Sequence, residues 1–408
     1  MISLPLSDIA RVLSGTLHLA GGDGPDTRVG GTVDTDSRNI GPGDVFVAKP
    51  GDATDGHLFV PAAAEAGASL AIVEHLVDAE ITQIVVADAV TALADLAREV
   101  VGRVRAAGDL RVVGITGSNG KTTTKNLLAR ILEGEGPTVA PRASFNNSVG
   151  APLTMLRVAD DTRYLVSEFG ADGSGQIARL AGLVTPDVGV VLMVGMAHAG
   201  GFGGVEATLK AKTELVEAVR PGGVAVLNAD DARVATMAAV AEARGVRVRW
   251  FGRGPAAEVR ADDVEVDASG TSCVIVVGEQ RMPLRLRVLG EHHVMNALAA
   301  ITAALELGVA LEDAVARLET VELAERWRMQ PLGSESVRII NDAYNASPDS
   351  MAAALRTLAQ ITQPGERKVA VLGAMSELGE FAGDEHDRVG LQAVRLRIER
   401  IVVIGADA

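Results

Sequence analysis

The hydrophobic residues of the chain follow two spacings that replace each other along its length. From residue 108, the β-branched run "LRVVGITG" is followed by "KTTTKNLLARILEGEG", in which apolar residues recur at helical spacing. The runs "RYLVSEFG", "DVGVVLMVG", "GGVAVLNAD" and "VRVRWFG" are each followed by helix-compatible sequence. This alternation predicts an α/β fold with a mostly parallel sheet that helices cover on both faces.

Changes in that pattern divide the chain. Residues 1–107 combine short apolar runs with one long helical stretch, which predicts a small α/β domain. Residues 258–290 alternate without helices, which predicts an antiparallel insertion at the edge of the sheet. A third α/β pattern begins near residue 326, with the strand-like runs "VRIINDAYN", "RKVAVLGAM" and "RIVVIGADA" and the helical stretch "DSMAAALRTLAQI". Because single hydrophobic cores stop growing at roughly 250–300 residues, we expect this chain of 408 residues to form three domains, 1–107, 108–325 and 326–408.

Charge and cysteine content narrow the function classes. The chain has 38 basic and 53 acidic residues, a formal net charge of −15, which disfavours binding to nucleic acid or to an anionic membrane. The single Cys273 excludes an internal disulfide and favours a reducing compartment. No signal peptide is recognisable, and the most apolar stretch is too short and glycine-rich to span a bilayer. We therefore expect a cytoplasmic protein without membrane insertion.

The stretch "GITGSNGKTTTKN" predicts a phosphate-binding loop, although the usual P-loop has its first glycine five residues before the second, where this chain has Ile115. Gly117 and Gly120 enclose a two-residue turn whose backbone N–H groups can converge on phosphate, at the N-terminus of a helix that begins at Lys121. Lys121 would reach the outer phosphates, and Thr122 or Thr123 would supply an oxygen ligand for Mg²⁺. The alternative is a plain glycine-rich turn between a strand and a helix.

Two further residues stand where predicted strands end. Glu168 ends one hydrophobic strand and His198 follows another, and open parallel sheets bind ligands at the carboxyl ends of their strands. Each alone is consistent with an ordinary strand-end carboxylate or loop histidine, but together they predict a metal site. Lys210 and Lys212 are two residues apart on a predicted helix and cannot share a face, so only one of them is expected to enter the site.

Seven motifs taken in order make a resemblance specific. The chain contains "TGSNGKTTTK", "NNSVGAPLT", "EFGADGSGQI", "AHAGGFGGVEATLKAKTE", "LNADD", "GEHHVMNALAA" and "NDAYNASPDSM", and it resembles the Mur ligases of peptidoglycan synthesis over nearly its whole length. The segment that begins "TDSRNIGPGDVFVAK" is similar to the uridine-diphosphate-binding segment of two branches of that family. The "NDAYNASP" motif favours the branch that adds D-alanyl-D-alanine over the MurE branch, which adds an amino acid.

The resemblance implies a fold and a reaction. The fold would be the three-domain Mur ligase architecture, with a central P-loop sheet and a Rossmann-like C-terminal domain. The tripeptide carboxylate of UDP-N-acetylmuramoyl-tripeptide would attack ATP to give an acyl phosphate, and D-alanyl-D-alanine would then displace phosphate. ATP and Mg²⁺ would be required, and the protein would be a monomer. Relatives continue for several more elements after a segment like "RIVVIGADA", so the third domain is expected to be incomplete at Ala408.

The resemblance also assigns residues. The ATP contacts would be Gly117, Ser118, Asn119, Gly120, Lys121, Thr122 and Thr123, with Asn296 against the adenine and Arg328 and Asp342 near the ribose and phosphates. Arg326 stays an alternative to Arg328. Thr122 would bind one Mg²⁺, whereas Glu168, His198 and Lys212, the last as a carbamate, would bind a second and complete the catalytic set with Lys121. Substrate contacts would be Ser37 and Arg38 for uridine diphosphate, Asn146 and Asn147 for the muramyl end, and Tyr344 and Asn345.

Three alternatives stay open on the sequence alone. The chain could be a MurE-like ligase, a folylpolyglutamate synthase-like ligase, or a nucleotide-binding short form without ligase activity. The "DSR" segment of the first domain argues against the folate enzyme, and "DAYNASP" argues against the MurE branch. The third residue of the tripeptide, meso-diaminopimelate or lysine, is not specified by any motif.

Overall fold

The computed structural model describes residues 1–51, 54–196, 203–321, 327–334, 337–405 and 407–408. The strands are β1 Leu4–Pro5, β2 Thr16–His18, β3 Arg28–Val29, β4 Val33–Asp34, β5 Val45–Val47, β6 Leu70–Val73, β7 Gln83–Val85, β8 Arg111–Thr116, β9 Thr138–Val139, β10 Tyr164–Glu168, β11 Val188–Val191, β12 Val224–Asn228, β13 Arg247–Gly252, β14 Val259–Asp267, β15 Gly270–Val277, β16 Gln280–Leu286, β17 Gln330–Gly333, β18 Arg338–Asn341, β19 Val369–Leu372 and β20 Arg400–Val403.

The α-helices among these residues are α1 Leu6–Val12, α2 Val60–Glu65, α3 Ala89–Ala107, α4 Lys121–Glu133, α5 Gly150–Met155, α6 Gln176–Ala181, α7 Val205–Ala218, α8 Ala232–Thr236, α9 Ala238–Ala243, α10 His292–Glu306, α11 Leu311–Glu319, α12 Pro348–Ile361 and α13 Ala382–Arg395. Short 3₁₀ helices lie at Ser37–Asn39, Gly56–Phe59 and Gly379–Phe381. The chain forms two compact units, one made of residues 1–112, 136–169 and 182–185, the other of residues 113–135, 170–181 and 186–408.

The first unit is built on a five-stranded sheet in the order β2-β7-β6-β5-β4. The four strands β4 to β7 pair in parallel, and β2 closes one edge as an antiparallel strand. Strands β5 and β6 are buried along their whole length, as expected where both faces of a parallel sheet are covered. Helix α3 begins at the cap residue Asp88, whose carboxylate accepts the N–H of Thr91, and it buries one apolar face.

The second unit contains the parallel strands that the sequence predicts. Strands β8, β11, β12 and β13 pair in parallel, with Val113 opposite Val188 and Thr116 opposite Val191. Strand β14 joins β13 in parallel, after which β15 and β16 continue antiparallel to the edge. The predicted antiparallel insertion at the sheet edge is therefore confirmed. Helix α10 is buried along most of its length and packs against α4, so the helix that follows the phosphate loop is covered by a second apolar helix.

The last part of the second unit repeats the α/β pattern on a smaller scale. Strands β17 and β18 form an antiparallel hairpin, β19 and β20 pair in parallel, and helices α12 and α13 pack against each other. Leu355, Val389 and Ala393 are the centre of a small core there. The sequence pattern predicts β18, α12, β19 and β20 but misses β17, which is only four residues long and mostly exposed.

Candidate nucleotide site

The turn between β8 and α4 has a backbone that only glycine permits at one point. Gly120 lies at φ +86°, in the left-handed region, and is the residue from which α4 begins. A Cβ atom at Gly120 would overlap Oδ1 of Asn296 on α10. A Cβ atom at Gly117 would lie 2.8 Å from Cβ of Leu192. Close neighbours thus require glycine at both positions, and backbone conformation requires it at Gly120 as well.

The loop is held by the segment that follows β11. The N–H of Ser118 donates to the carbonyl of Met193 at 2.9 Å, and its Oγ accepts the N–H of Gly195 at 2.9 Å. Lys121 Nζ donates to the carbonyl of Gly117 at 2.7 Å, which places the ammonium group over the loop. These contacts fix the loop before any ligand arrives, and preorganised N–H groups at a helix N-terminus favour phosphate.

The first turn of α4 carries the hydroxyl groups that the sequence predicts for Mg²⁺. Thr122 and Thr123 are both buried, at 4% and 6% exposure. Arg328, two residues before β17, approaches this turn, with Nη2 3.4 Å from Thr122 Oγ1. The donor types at this point, a helix N-terminus, an ammonium group and a threonine hydroxyl, fit a magnesium-bound polyphosphate.

Arg328 is held by its own neighbours. Its guanidinium carbon lies 4.0 Å from the centre of the Tyr344 ring, a cation–π contact. Asp342 accepts the N–H of Met329 at 2.9 Å, and burial raises the pKa of its carboxyl group. The structure therefore brings Arg328, Asp342 and the loop together in the second unit. The alternative arginine, Arg326, lies outside the described residues.

Helix α10 also contacts the phosphate loop. Asn296 is 7% exposed and faces Gly120. One turn earlier, burial lowers the pKa of His292 to about 4, with a smaller contribution from the charge of Arg356. Burial also lowers the pKa of His293 far below its usual value, so both imidazoles are neutral at pH 7. Of these three residues of α10, Asn296 is the one that the structure places against the loop.

The segment leading from β11 toward His198 is fixed by the "LNADD" motif. Asn228 Nδ2 donates to the carbonyl of Leu192 at 2.8 Å, and Asp231 accepts the N–H of Val194 at 2.8 Å while capping α8. Sequence reasoning used this motif only for recognition, whereas the structure gives it a positioning role. His198 itself lies outside the described residues.

The two lysines of α7 differ in their exposure to solvent, as the helical spacing predicts. Lys212 is 3% exposed, whereas Lys210 is exposed. Burial, reinforced by the positive charge of Lys121, lowers the pKa of Lys212 to about 7. Glu214, also on α7, accepts the N–H groups of Gly175 at 2.6 Å and Ala178 at 3.0 Å, which ties the start of α6 to this helix.

In the first unit, Glu168 at the end of β10 is 1% exposed. Its Oε1 accepts a hydrogen bond from Asn146 Nδ2 at 2.8 Å, so Asn146 orients the carboxylate. The neighbouring Asn147 instead accepts the N–H groups of Val149 and Gly150 at the start of α5. Within the described ranges, no three histidine, cysteine, aspartate or glutamate side chains are grouped to hold a metal; the predicted set includes His198 and a lysine.

Of the remaining predicted residues, Arg38, Tyr344 and Asn345 are exposed and Ser37 is half-buried. Ser37 and Arg38 lie in the 3₁₀ turn capped by Asp36, and the Arg38 side chain is 87% exposed and paired with Asp36 at 2.6 Å. That pair lowers the pKa of Asp36 to about 2. Tyr344 and Asn345 follow β18 and are exposed, with Tyr344 under Arg328. Sequence reasoning missed Ser347, which contacts Asn119 of the loop at 3.2 Å.

Comparison with known proteins decides the family. Sequence profiles match at residues 32–104 (Mur ligase family, catalytic domain), 115–304 (Mur ligase middle domain) and 327–408 (Mur ligase, glutamate ligase domain). A UDP-N-acetylmuramoyl-tripeptide–D-alanyl-D-alanine ligase of Mycobacterium tuberculosis is 42% identical over 99% of this chain and 84% of its own length. The chain belongs to the Mur ligase family. The Escherichia coli ligase of the same name is 33% identical to this Mur ligase over 99% of the chain and 86% of its own length.

Solved structures agree with the sequence relatives. Crystal structure I of MurF from Acinetobacter baumannii superposes with a TM-score of 0.90 at 34% identity, covering 100% of this chain and 86% of that one. MurF ligase from Thermotoga maritima, solved in complex with ADP, gives a TM-score of 0.79 at 27% identity over 92% of this chain and 88% of that one. This Mur ligase therefore has the expected three-domain architecture. None of its described helices is long and apolar enough to cross a bilayer.

Proposed function

We propose that this Mur ligase joins D-alanyl-D-alanine to UDP-N-acetylmuramoyl-tripeptide at the expense of ATP, in the synthesis of peptidoglycan precursors. The observation that carries the proposal is the similarity to ligases of that name over 99% of the chain, at 42% identity for the mycobacterial relative. The built phosphate loop supports the ATP requirement independently, through Gly120, Lys121 and the buried threonines.

The reaction has two balanced steps. A terminal carboxylate oxygen of the tripeptide attacks the γ-phosphorus of ATP, the bond from that phosphorus to the bridging oxygen breaks, and ADP leaves. The amino group of D-alanyl-D-alanine then attacks the acyl carbon, the carbon–oxygen bond to phosphate breaks, and the nitrogen loses a proton. Both steps bring anions together, so the protein must supply positive charge and position.

In this proposal the phosphate loop and α4 hold the nucleotide. The backbone N–H groups of residues 117–120 face the phosphates, and Lys121 neutralises charge on the group being transferred. Asn296 lies against the adenine, and Arg328 and Asp342 contact the phosphates and ribose. Mg²⁺, when bound, would polarise the γ-phosphoryl group and offset its charge, with Thr122 as one ligand.

A second Mg²⁺ would be held by Glu168, His198 and Lys212. An ammonium group cannot ligate a cation, but addition of CO₂ converts a lysine to a carbamate whose oxygens can. The lowered pKa of the buried Lys212 supports this chemistry, because only the neutral amine adds CO₂. Asn146 would fix the orientation of Glu168, as the hydrogen-bond partners of metal ligands do.

The UDP-linked substrate would be recognised by the first domain. Ser37 and Arg38 would contact uridine diphosphate, Asn146 and Asn147 the muramyl end, and Tyr344 and Asn345 the peptide end near the third domain. We assign the domains as residues 1–107, 108–325 and 326–408. We further propose that the protein acts as a monomer in the cytoplasm.

The test is phosphate release by the purified protein with Mg²⁺, ATP and UDP-N-acetylmuramoyl-tripeptide, in both its meso-diaminopimelate and its lysine form. Release should require D-alanyl-D-alanine, and the product should be the corresponding pentapeptide by mass. D-Alanine alone, or the UDP-dipeptide with a single amino acid, serves as the matched control. Turnover only in that control reaction would place the chain in the branch that adds one amino acid and would overturn the proposal.

A further inference from the structure

Helix α12 begins with a capping box, and the hydroxyl group of its N-cap residue can also act as a hydrogen-bond donor. Ser347 is the N-cap, and its Oγ accepts the N–H of Ser350 at 3.3 Å, while Ser350 Oγ accepts the N–H of Ser347 at 2.9 Å. These reciprocal bonds satisfy the start of the helix. The Ser347 hydroxyl has its own proton to donate, with Ser350 Oγ at 3.0 Å and Asn119 Oδ1 at 3.2 Å as acceptors, and Ser347 is only 5% exposed.

That proton has an acceptor in the phosphate loop. Ser347 Oγ lies 3.2 Å from Oδ1 of Asn119, a residue 228 positions earlier in the chain. A carbonyl oxygen can only accept, so the serine is the donor. Nδ2 of Asn119 is buried and meets no acceptor within the described ranges. Within those ranges, Ser347 Oγ is thus the hydrogen-bond partner of the Asn119 side chain.

Asp349, two residues after Ser347, contacts the segment that supports the loop. Asp349 Oδ2 lies 3.4 Å from the N–H of Met196, and a Cβ atom at Gly195 would overlap it. Gly195 is the residue whose N–H holds the Ser118 hydroxyl. The first turn of α12 thus contacts both Asn119 and the segment that supports Ser118, the two residues between the glycines of the loop.

We propose that Ser347 is a positioning residue for nucleotide binding, acting through Asn119 on the phosphate loop. The inference rests on the proposed function in one respect, that this loop binds the phosphates of ATP. Its content is separate: the start of α12, in the proposed third domain, fixes the loop in the conformation whose N–H groups converge on phosphate. In this role the Ser347 hydroxyl acts on the loop and does not itself contact the substrate.

A purely structural role for Ser347, as a helix cap, is the competing hypothesis, and the chain offers a matched control. Ser347→Gly removes the hydroxyl at a cap position that tolerates glycine well. Ser350→Ala removes the other half of the capping box and leaves the hydroxyl that faces Asn119. Ser347→Thr keeps a hydroxyl at the cap.

The experiment measures the dissociation constant for ATP with Mg²⁺ by calorimetry, together with Tm, for these three variants, Asn119→Ala and the double variant Ser347→Gly/Asn119→Ala. We expect Ser347→Gly to weaken ATP binding about fivefold, the effect of one neutral hydrogen bond. Ser347→Thr should recover most of that loss. Ser350→Ala should lower Tm at least as much as Ser347→Gly while changing ATP affinity less than about twofold.

The decisive measurement is whether the losses of ATP affinity in the two single variants add in the double variant. The double variant should bind ATP as Asn119→Ala does, because the serine acts only through that asparagine. Additive losses, or an equal loss of affinity in Ser350→Ala, would overturn the positioning role. In steady-state assays Ser347→Gly should raise KM for ATP more than it lowers kcat. A wild-type protein that binds ATP but does not ligate D-alanyl-D-alanine would refute the proposed function, while the binding cycle would still decide the role of Ser347.

Discussion

The phosphate loop and the 3₁₀ turn at Ser37–Asn39 are both short polar segments assigned to anionic ligands, but they are held in different ways. Ser118 and Asn119 are fixed by partners far away in the chain, Gly195 and Ser347. Arg38 is fixed by Asp36, two residues away, through an exposed pair.

Further hydrogen bonds of the same turn are also local. Asp34 accepts the N–H of Asp36 at 2.9 Å and Asn39 Nδ2 at 3.1 Å. A segment held by its neighbours in sequence keeps its shape when one side chain changes. To bind the diphosphate, Arg38 need only leave the Asp36 carboxylate for the phosphate groups. A loop held by tertiary contacts depends on each of them. Changes to Ser118 or Asn119, which make these distant contacts, should therefore affect both chemistry and fold, whereas changes in the turn should affect affinity alone.

The largest effect is expected from Lys121→Ala. The Lys121 ammonium group lies over the loop, where it would neutralise the transferred phosphoryl group, and it is only partly buried. Its loss should lower kcat about 10³-fold or more, as for other groups that stabilise transition-state charge. Tm should change little. Phosphate-release kinetics and calorimetry on the same preparation check both, and near-normal turnover would remove the loop from the mechanism.

The next effect separates the two lysines of α7. Lys212→Ala should lower activity about 10²-fold if the side chain supports a metal. Lys210→Ala removes the same charge from an exposed position and should retain activity within about twofold. Small carboxylic acids in excess should partly restore Lys212→Ala by supplying the missing oxygen ligand, with no effect on Lys210→Ala. Equal sensitivity of the two positions would contradict the assignment.

Much of the second unit could be predicted from the sequence, because its strands carry their own signal. The β-branched runs at β8, β11, β12 and β13 lie between glycine-rich turns and helical stretches, and the structure confirms all four. Gly120 could also be predicted, since a glycine followed by Lys-Thr-Thr at a strand-to-helix turn is typical of a phosphate-binding loop. The split between Lys210 and Lys212 followed from helix geometry alone.

Contacts between distant segments could not be predicted. Nothing in the motif "NDAYNASPDSM" indicates that Ser347 meets Asn119, although the Ser-Pro-Asp run does signal a helix start. Asn147 is expected at the muramyl end, and its amide oxygen accepts the N–H groups of Val149 and Gly150 before α5, a local role that leaves the substrate contact a prediction. The exposure of Arg38 and its pairing with Asp36 could not be predicted from the sequence either, because pairing on a surface depends on the side-chain conformation.

A third effect tests the loop backbone. Gly120→Ala should destabilise the protein by about 1–2 kcal/mol through left-handed strain, and it should also weaken ATP binding about tenfold because the new methyl group displaces Asn296. Gly222→Ala is the control: φ there is +76°, and a Cβ atom would meet nothing within 4 Å. Both variants should lower Tm, and only Gly120→Ala should weaken ATP binding. Equal ATP affinity in the two would mean that the Asn296 contact has no role in nucleotide binding.

The smallest effect is expected from Arg38→Ala, in the region held by local contacts. The Arg38–Asp36 pair is exposed and should contribute little to stability, so Tm should stay unchanged. KM for the UDP-tripeptide should rise about fivefold through loss of one charged contact, with kcat and KM for ATP nearly constant. Arg98→Ala is the matched control, since Arg98 forms an exposed pair with Asp95 at the same 2.6 Å distance elsewhere in the first unit. A fall in kcat, or an equal rise in KM in the control, would show that the turn does not act through uridine-diphosphate affinity, and the contrast with the phosphate loop would no longer hold.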